Sequence, residues 1–158
     1  MSSGNRILVV VIGRPSDPHL AGAIADYERR AARYWPLQVR ELSGNRTRGG
    51  RPDEVRQREW VQIEAALPGS RELWVCDQSG VSMTSERFAA TIRSRRESGR
   101  PIALVVGGAF GLPDEGRRRA DLLLALAPWT LPHEIARLVL AEQLYRAGTI
   151  ARNEPYHK

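Results

Sequence analysis

Apolar runs of two kinds alternate along the chain. Arg6 to Ile12 (RILVVVI) is a near-continuous β-branched run, the pattern of a strand buried on both faces. Gly13-Arg14-Pro15 breaks it, and Asp17 then predicts a helix cap with Pro18 in the first helical position. Leu20, Ile24, Tyr27, Ala31 and Tyr34 recur at three- and four-residue steps, one apolar stripe reaching about Trp35. After Pro36, Leu37 to Leu42 reads as a second strand. A helix from Asp53 to Leu67 turns Val55, Trp60, Ile63 and Leu67 inward. Glu72 to Asp77 is the third strand, followed by a helix from Thr84 with Phe88 and Ile92 inward. Ile102 to Val106 is the fourth strand, and a short helix from Pro113 to about Ala120 leads to the fifth, Leu122 to Ala127. The last helix runs from His133 to about Ala151, with Ile135, Leu138, Val139 and Ala141 as its expected buried side.

Strands separated by helices predict an α/β fold: a mostly parallel sheet of about five to six strands, flanked by helices. With no repeat and no linker, residues 1–158 read as one domain. Two irregular loops leave this sheet at the same edge. One is Gly107-Gly108-Ala109-Phe110-Gly111 after the fourth strand; the other is Pro128-Trp129-Thr130-Leu131-Pro132-His133 after the fifth. Ligands of open α/β sheets bind beyond the carboxyl ends of the strands, so this pair of loops is the candidate site.

Charge adds a partner. The net formal charge is +6, which points to a polyanion and first to nucleic acid. Lys158 is the single lysine among 24 cations, and guanidinium forks suit phosphates and base edges. Arg46, Arg48 and Arg51 lie in a glycine-rich, acid-free stretch, Ser43 to Pro52, and Arg117-Arg118-Arg119 form a second cluster. Both are candidate phosphate contacts. No apolar stretch approaches the roughly 20 residues of a membrane span, and no signal peptide is recognisable. Cys76 is the one cysteine, and His19, His133 and His157 are far apart. A cytoplasmic protein without a metal site is therefore expected.

The glycine loop is not a standard nucleotide motif. G-x-G-x-x-G belongs after a first strand, which here ends in Gly13-Arg14-Pro15, and no G-x-x-x-x-G-K-[ST] is present. The combination is more specific: strand-GGAFG, helix, strand-APWTLPH, a long helix with Leu144-Tyr145-Arg146-Ala147, and a terminal Pro155-Tyr156-His157. Over nearly its whole length the chain resembles the small bacterial methyltransferases that modify a pseudouridine of large-subunit ribosomal RNA at the N3 ring nitrogen. These belong to the SPOUT, or α/β-knot, class. Cys76-Asp77-Gln78-Ser79-Gly80 and Asp26-Tyr27-Glu28-Arg29-Arg30 match as well, with two departures: Cys76 stands where leucine is expected in many relatives, and Glu154 where histidine or another residue often precedes Pro-Tyr-His.

The resemblance implies a C-terminal trefoil knot and an S-adenosylmethionine site within its loops. By position that site comprises Cys76, Gly107, Gly108, Gly111 and Ala127-Pro128-Trp129-Thr130-Leu131-Pro132. The cofactor carries no phosphate, so the glycines are expected to admit close backbone approach, with Trp129 and Leu131 as an apolar wall. Removal of the imide proton of the base calls for a general base or a stabilising cation. His133, Arg146, Tyr156 and His157 are the candidates. The resemblance further implies a homodimer acting on 23S ribosomal RNA within the large subunit or the whole ribosome. A knotted enzyme acting on tRNA and a non-catalytic ribosome-binding factor are the alternatives.

Overall fold

A computed structural model describes residues 5–44 and 49–158. The expected elements are present: β1 (Ile7–Ile12), α1 (Pro18–Ala31), β2 (Leu37–Leu42), α2 (Pro52–Ala66), β3 (Glu72–Ser82) and α3 (Ser85–Arg96). They are followed by β4 (Ile102–Val106), α4 (Asp114–Arg119), β5 (Leu122–Ala125), α5 (His133–Ala151) and a 3₁₀ turn at Pro155–His157. Asp17 caps α1 as its sequence predicts, accepting from the His19 and Leu20 amides. The strands form one sheet in the order β2-β1-β4-β3-β5, every neighbouring pair parallel.

Strand alternation sorts the core into two layers. Ile7, Val9, Val11, Trp74, Ile102, Leu104 and Leu124 face α1, α3 and α5. Leu8, Val10, Ile12, Leu73, Val75, Ala103 and Val105 face Trp60 and Ile63 of α2 and Leu112 ahead of α4. Connections running toward β2 carry their helices on the first face and those running toward β5 on the second, so all share one hand. The chain therefore leaves β4 toward the second face while its neighbours leave toward the first. The loops part at that point and open a crevice at the carboxyl edge.

Two departures from the sequence reading shape this edge. β3 continues to Ser82, because Cys76 and Val81 both pair with Leu124 and the intervening Asp77–Gly80 arches out of the sheet. The arch needs Gly80, where a Cβ would lie 2.6 Å from the Leu123 backbone. β5 ends at Ala125, so Leu126 and Ala127 belong to the loop.

The buried face of α5 also differs from expectation. Ala136, Arg137, Leu140, Ala141, Leu144, Ala147, Gly148 and Thr149 are buried, whereas Ile135, Leu138 and Val139 are only half-buried. Close packing of α1 and the turn after it on α5 is the cause: a Cβ on Gly148 would sit 2.4 Å from Tyr34 in that turn. Gly148→Ala is therefore expected to destabilise the fold by about 2 kcal/mol through overpacking. Gly22→Ala, exposed in α1 with open space around its Cα, should instead gain about 0.5–1 kcal/mol, the ordinary helical preference. Urea unfolding of the two variants checks this opposition of sign, and equal shifts would refute the packing argument.

Candidate functional site

The crevice is a cleft of about 1150 Å³, on the scale of small-molecule sites. Three segments enclose it: Cys76 to Ser79 of the β3 arch, Val106 to Leu112 after β4, and Leu126 to His133 after β5. Of the ten residues expected to hold a cofactor, nine line the cleft, and Pro128 alone does not. Thr130 donates to Gln78 Oε1 at 2.5 Å, tying the β5 loop to the arch. Arg56 donates to the Phe110 carbonyl at 3.3 Å and braces the glycine turn. Leu131 packs half-buried against the core, but Trp129 is 77% exposed, so its ring stands at the mouth and is not a buried wall.

The glycines are bare for a different reason than ligand approach. A Cβ on Gly107 would lie 3.0 Å from Gly111 and Leu112, and one on Gly108 would lie 2.7–2.8 Å from both carboxylate oxygens of Glu59. Packing inside the protein therefore demands them, and Gly111 adds a left-handed turn at φ 75°. Glu59 is buried, with Oε1 lacking a hydrogen-bond partner. Burial pushes its acid up, against the opposing pull of Arg58. Cys76 packs against the core, and burial together with the adjacent Asp77 charge pushes its thiol up to about 12. It stays a neutral thiol at physiological pH and is no nucleophile.

Asp77 and Arg117 were not foreseen as a pair. Arg117 was expected to meet RNA phosphates, yet it lines the cleft. It donates to Asp77 Oδ2 at 3.2 Å, to the Leu112 carbonyl at 3.0 Å and to Asp114. Burial pushes the Asp77 acid up, but hydrogen bonds from Ser79 and Arg117 outweigh it and hold the acid below its usual range. The signal in the sequence was Asp77-Gln78-Ser79 at a strand end, an acid whose oxygen accepts from Ser79 N at 2.9 Å. Arg119 is likewise paired, with Glu64 at 2.7 Å and Glu115 at 3.0 Å. Arg51 and Arg118 are exposed, and Arg46 and Arg48 lie outside the described residues.

The four candidates for proton chemistry do not meet. His133 lines the cleft at the start of α5. Arg146, thirteen residues on, is about 20 Å farther along the helix. It is paired with Glu142 at 2.5 Å and lies 4.8 Å from the Tyr156 ring. Tyr156 donates to Glu142 at 3.1 Å, and its ring packs 4.5 Å from that of Tyr145. Burial, hydrogen bonding to Tyr27 and the Glu142 charge all push the Tyr156 hydroxyl up, so it remains protonated. Tyr34 donates to Glu154 and pins the tail to the turn after α1. Within one chain, then, Arg146, Tyr156 and His157 cluster at the far end of α5 from the cleft.

A parallel sheet with its cleft at a carboxyl-edge parting defines an α/β ligand-binding domain. Solved methylase family proteins share this fold. The one from Neisseria gonorrhoeae has a TM-score of 0.55 at 16% identity, covering 90% of this chain and 82% of that chain. The one from Haemophilus influenzae Rd KW20 has a TM-score of 0.54 at 15% identity, covering 98% and 71%. The family described as "Predicted SPOUT methyltransferase" matches residues 5–157, and the chain belongs to the SPOUT methyltransferases. Among curated proteins it is similar to Ribosomal RNA large subunit methyltransferase H of Gemmatimonas aurantiaca, 54% identical over 97% of this chain and 99% of that protein. The protein of the same name from Syntrophotalea carbinolica is 40% identical over 96% and 98%.

Proposed function

We propose that this protein methylates large-subunit 23S ribosomal RNA, using S-adenosylmethionine, at the N3 nitrogen of a pseudouridine. The observation that carries the reading is the convergence of the Gly107–Gly111 and Ala127–His133 loops on one cleft, in a chain with full-length relatives named as ribosomal RNA methyltransferases. The donor set fits the cofactor. Apolar side chains and backbone groups dominate the lining, and its guanidinium, Arg117, is already engaged by two carboxylates. That suits a nucleoside without phosphates. Backbone groups of Ala127 to Leu131 would read an adenine edge, with Leu131 as apolar support. The bound cofactor supplies an electrophilic methyl group on a sulfonium.

The chain's own residues then orient the reaction and handle the imide proton. Placement alone accounts for much of such a displacement. His133 is the one proton-chemistry candidate at this cleft within its own chain. Arg146, Tyr156 and His157 reach a cleft through a second copy. The outer stripe of α5 runs from half-buried Ile135, Leu138 and Val139 near the cleft to Glu142 and Arg146 near the tail. An isologous, antiparallel pairing over this stripe covers its apolar part and sets each tail beside the partner's cleft. Arg146 would then stabilise the imide anion and Tyr156 would contact the base. The exposed Trp129 and Phe110 flank the mouth where a splayed base enters, a setting suited to stacking. Arg51 and Arg118 would contact phosphates on the ribosome. The protein would work in the cytoplasm, where ribosomes are.

Mass spectrometry of 23S ribosomal RNA from a strain lacking the gene tests the substrate. A methylated pseudouridine should lose its methyl group and regain it on complementation. An unchanged methylated pseudouridine would overturn the assignment, and a methyl group lost from tRNA instead would favour the tRNA alternative.

A further inference from the structure

The lining of the cleft is mostly neutral, and its charges are concentrated in one place. Asp77 and Arg117 are its charged side chains among the described residues, the ionisable His133 aside. They stand together: Arg117 Nη1 is 3.2 Å from Asp77 Oδ2. Their side chains are 34% and 17% exposed, in that order, so both are largely removed from water yet open to the cleft. Each is also held from behind. Ser79 donates to Asp77 Oδ1 through its amide at 2.9 Å and its hydroxyl at 2.5 Å. Arg117 is fixed by the Leu112 carbonyl at 3.0 Å and by Asp114 on its own helix.

A carboxylate and a guanidinium side by side, preoriented and half-desolvated, match a ligand that presents an ammonium and a carboxylate on one carbon. The two ligand charges insert between the protein's two, replacing one long ion pair with two charge-assisted contacts. A phosphate is a poorer match, because it brings no ammonium to neutralise Asp77 as its own negative charge approaches Arg117. We propose that Asp77 and Arg117 form the subsite for the α-amino-acid head of the cofactor, Asp77 taking the ammonium and Arg117 the carboxylate. This rests on the S-adenosylmethionine reading above and adds to it which end of the molecule lies where. The nucleoside lies toward the Ala127–Leu131 backbone, and the amino-acid head lies against the β3 arch and α4.

The test compares two ligands by calorimetry. S-adenosylhomocysteine carries the amino-acid head; 5′-methylthioadenosine is the same thioether nucleoside without it. The wild-type protein should prefer S-adenosylhomocysteine by about tenfold or more, the scale of charge-assisted contacts. In Asp77→Asn and Arg117→Gln, that preference should fall to about threefold or less, through weaker S-adenosylhomocysteine binding at unchanged 5′-methylthioadenosine affinity. Equal binding of the two ligands by wild type would overturn the subsite while leaving the nucleoside cleft intact, and this comparison needs no variant. A preference retained in both variants would overturn it as well. If neither ligand binds, the cofactor reading falls and the subsite with it.

Discussion

Tyr156→Phe combined with His157→Ala is expected to lower methyl transfer about 100-fold or more, the usual scale of lost proton-transfer and charge-stabilising groups. S-adenosylhomocysteine affinity should stay within about twofold of wild type, since the tail is proposed to meet the base and not the loops that hold the cofactor. Within its own chain the tail is also remote from the cleft. Tyr156 is held at Glu142, and about 14 Å of α5 lies between Glu142 and His133 at the cleft. A tail that merely props up the fold would move thermal stability and cofactor affinity along with rate. A tail that works on substrate moves the rate alone.

Mixing identifies the cleft that the tail serves. Leu131→Trp should fill the space between the two loops and abolish cofactor binding, leaving its own tail intact. Coexpression with the tail variant in equal amounts makes about half of the dimers mixed, each with one complete site if the tail acts across the interface. About a quarter of wild-type activity should return. No recovery would mean that the tail acts on its own chain, which the extended run of α5 makes difficult.

Arg137→Met should cost about 3 kcal/mol of folding free energy. Arg137 is buried in α5 and donates to Glu28 of α1 at 2.7 Å and to Glu41 of β2 at 2.7 Å. Removing the cation leaves Glu28, largely shielded from water, and the more open Glu41 with no counter-charge, and that penalty outweighs what methionine recovers by packing. The guanidinium belongs to the first turns of α5, one turn beyond His133, so the same loss should loosen the cleft wall. Urea unfolding measures the first effect and S-adenosylhomocysteine titration the second. A loss below about 1 kcal/mol would mean that Glu28 and Glu41 find water or other donors. Charge can be balanced by also replacing Glu28 and Glu41 with glutamine, and stability should then partly return.

Strand and helix order, the parallel sheet and the two cleft loops were legible in the chain because they depend on local signals. Unbroken apolar runs at Ile7–Ile12 and Ile102–Val106 have nowhere to go but a two-sided sheet, and Asp17-Pro18 starts a helix wherever it is placed. The residues of both loops could be named because each loop begins where a strand pattern stops. What the pattern could not supply was depth and partnership. The expected α5 stripe includes Ile135, Leu138 and Val139, but the buried side is chosen by how near α1 and the turn after it come, and that distance depends on Tyr34 of the turn meeting Gly148. Asp77 and Arg117 are 40 residues apart, so their meeting in the cleft follows only from the β3 arch folding over β5 beside α4. Arg117 looked like one of three equivalent surface cations, and only the fold turned it inward. Local sequence sets which element a residue joins, because those preferences act over a few residues. Tertiary structure decides which charges are desolvated together, because burial belongs to surfaces that distant segments make jointly.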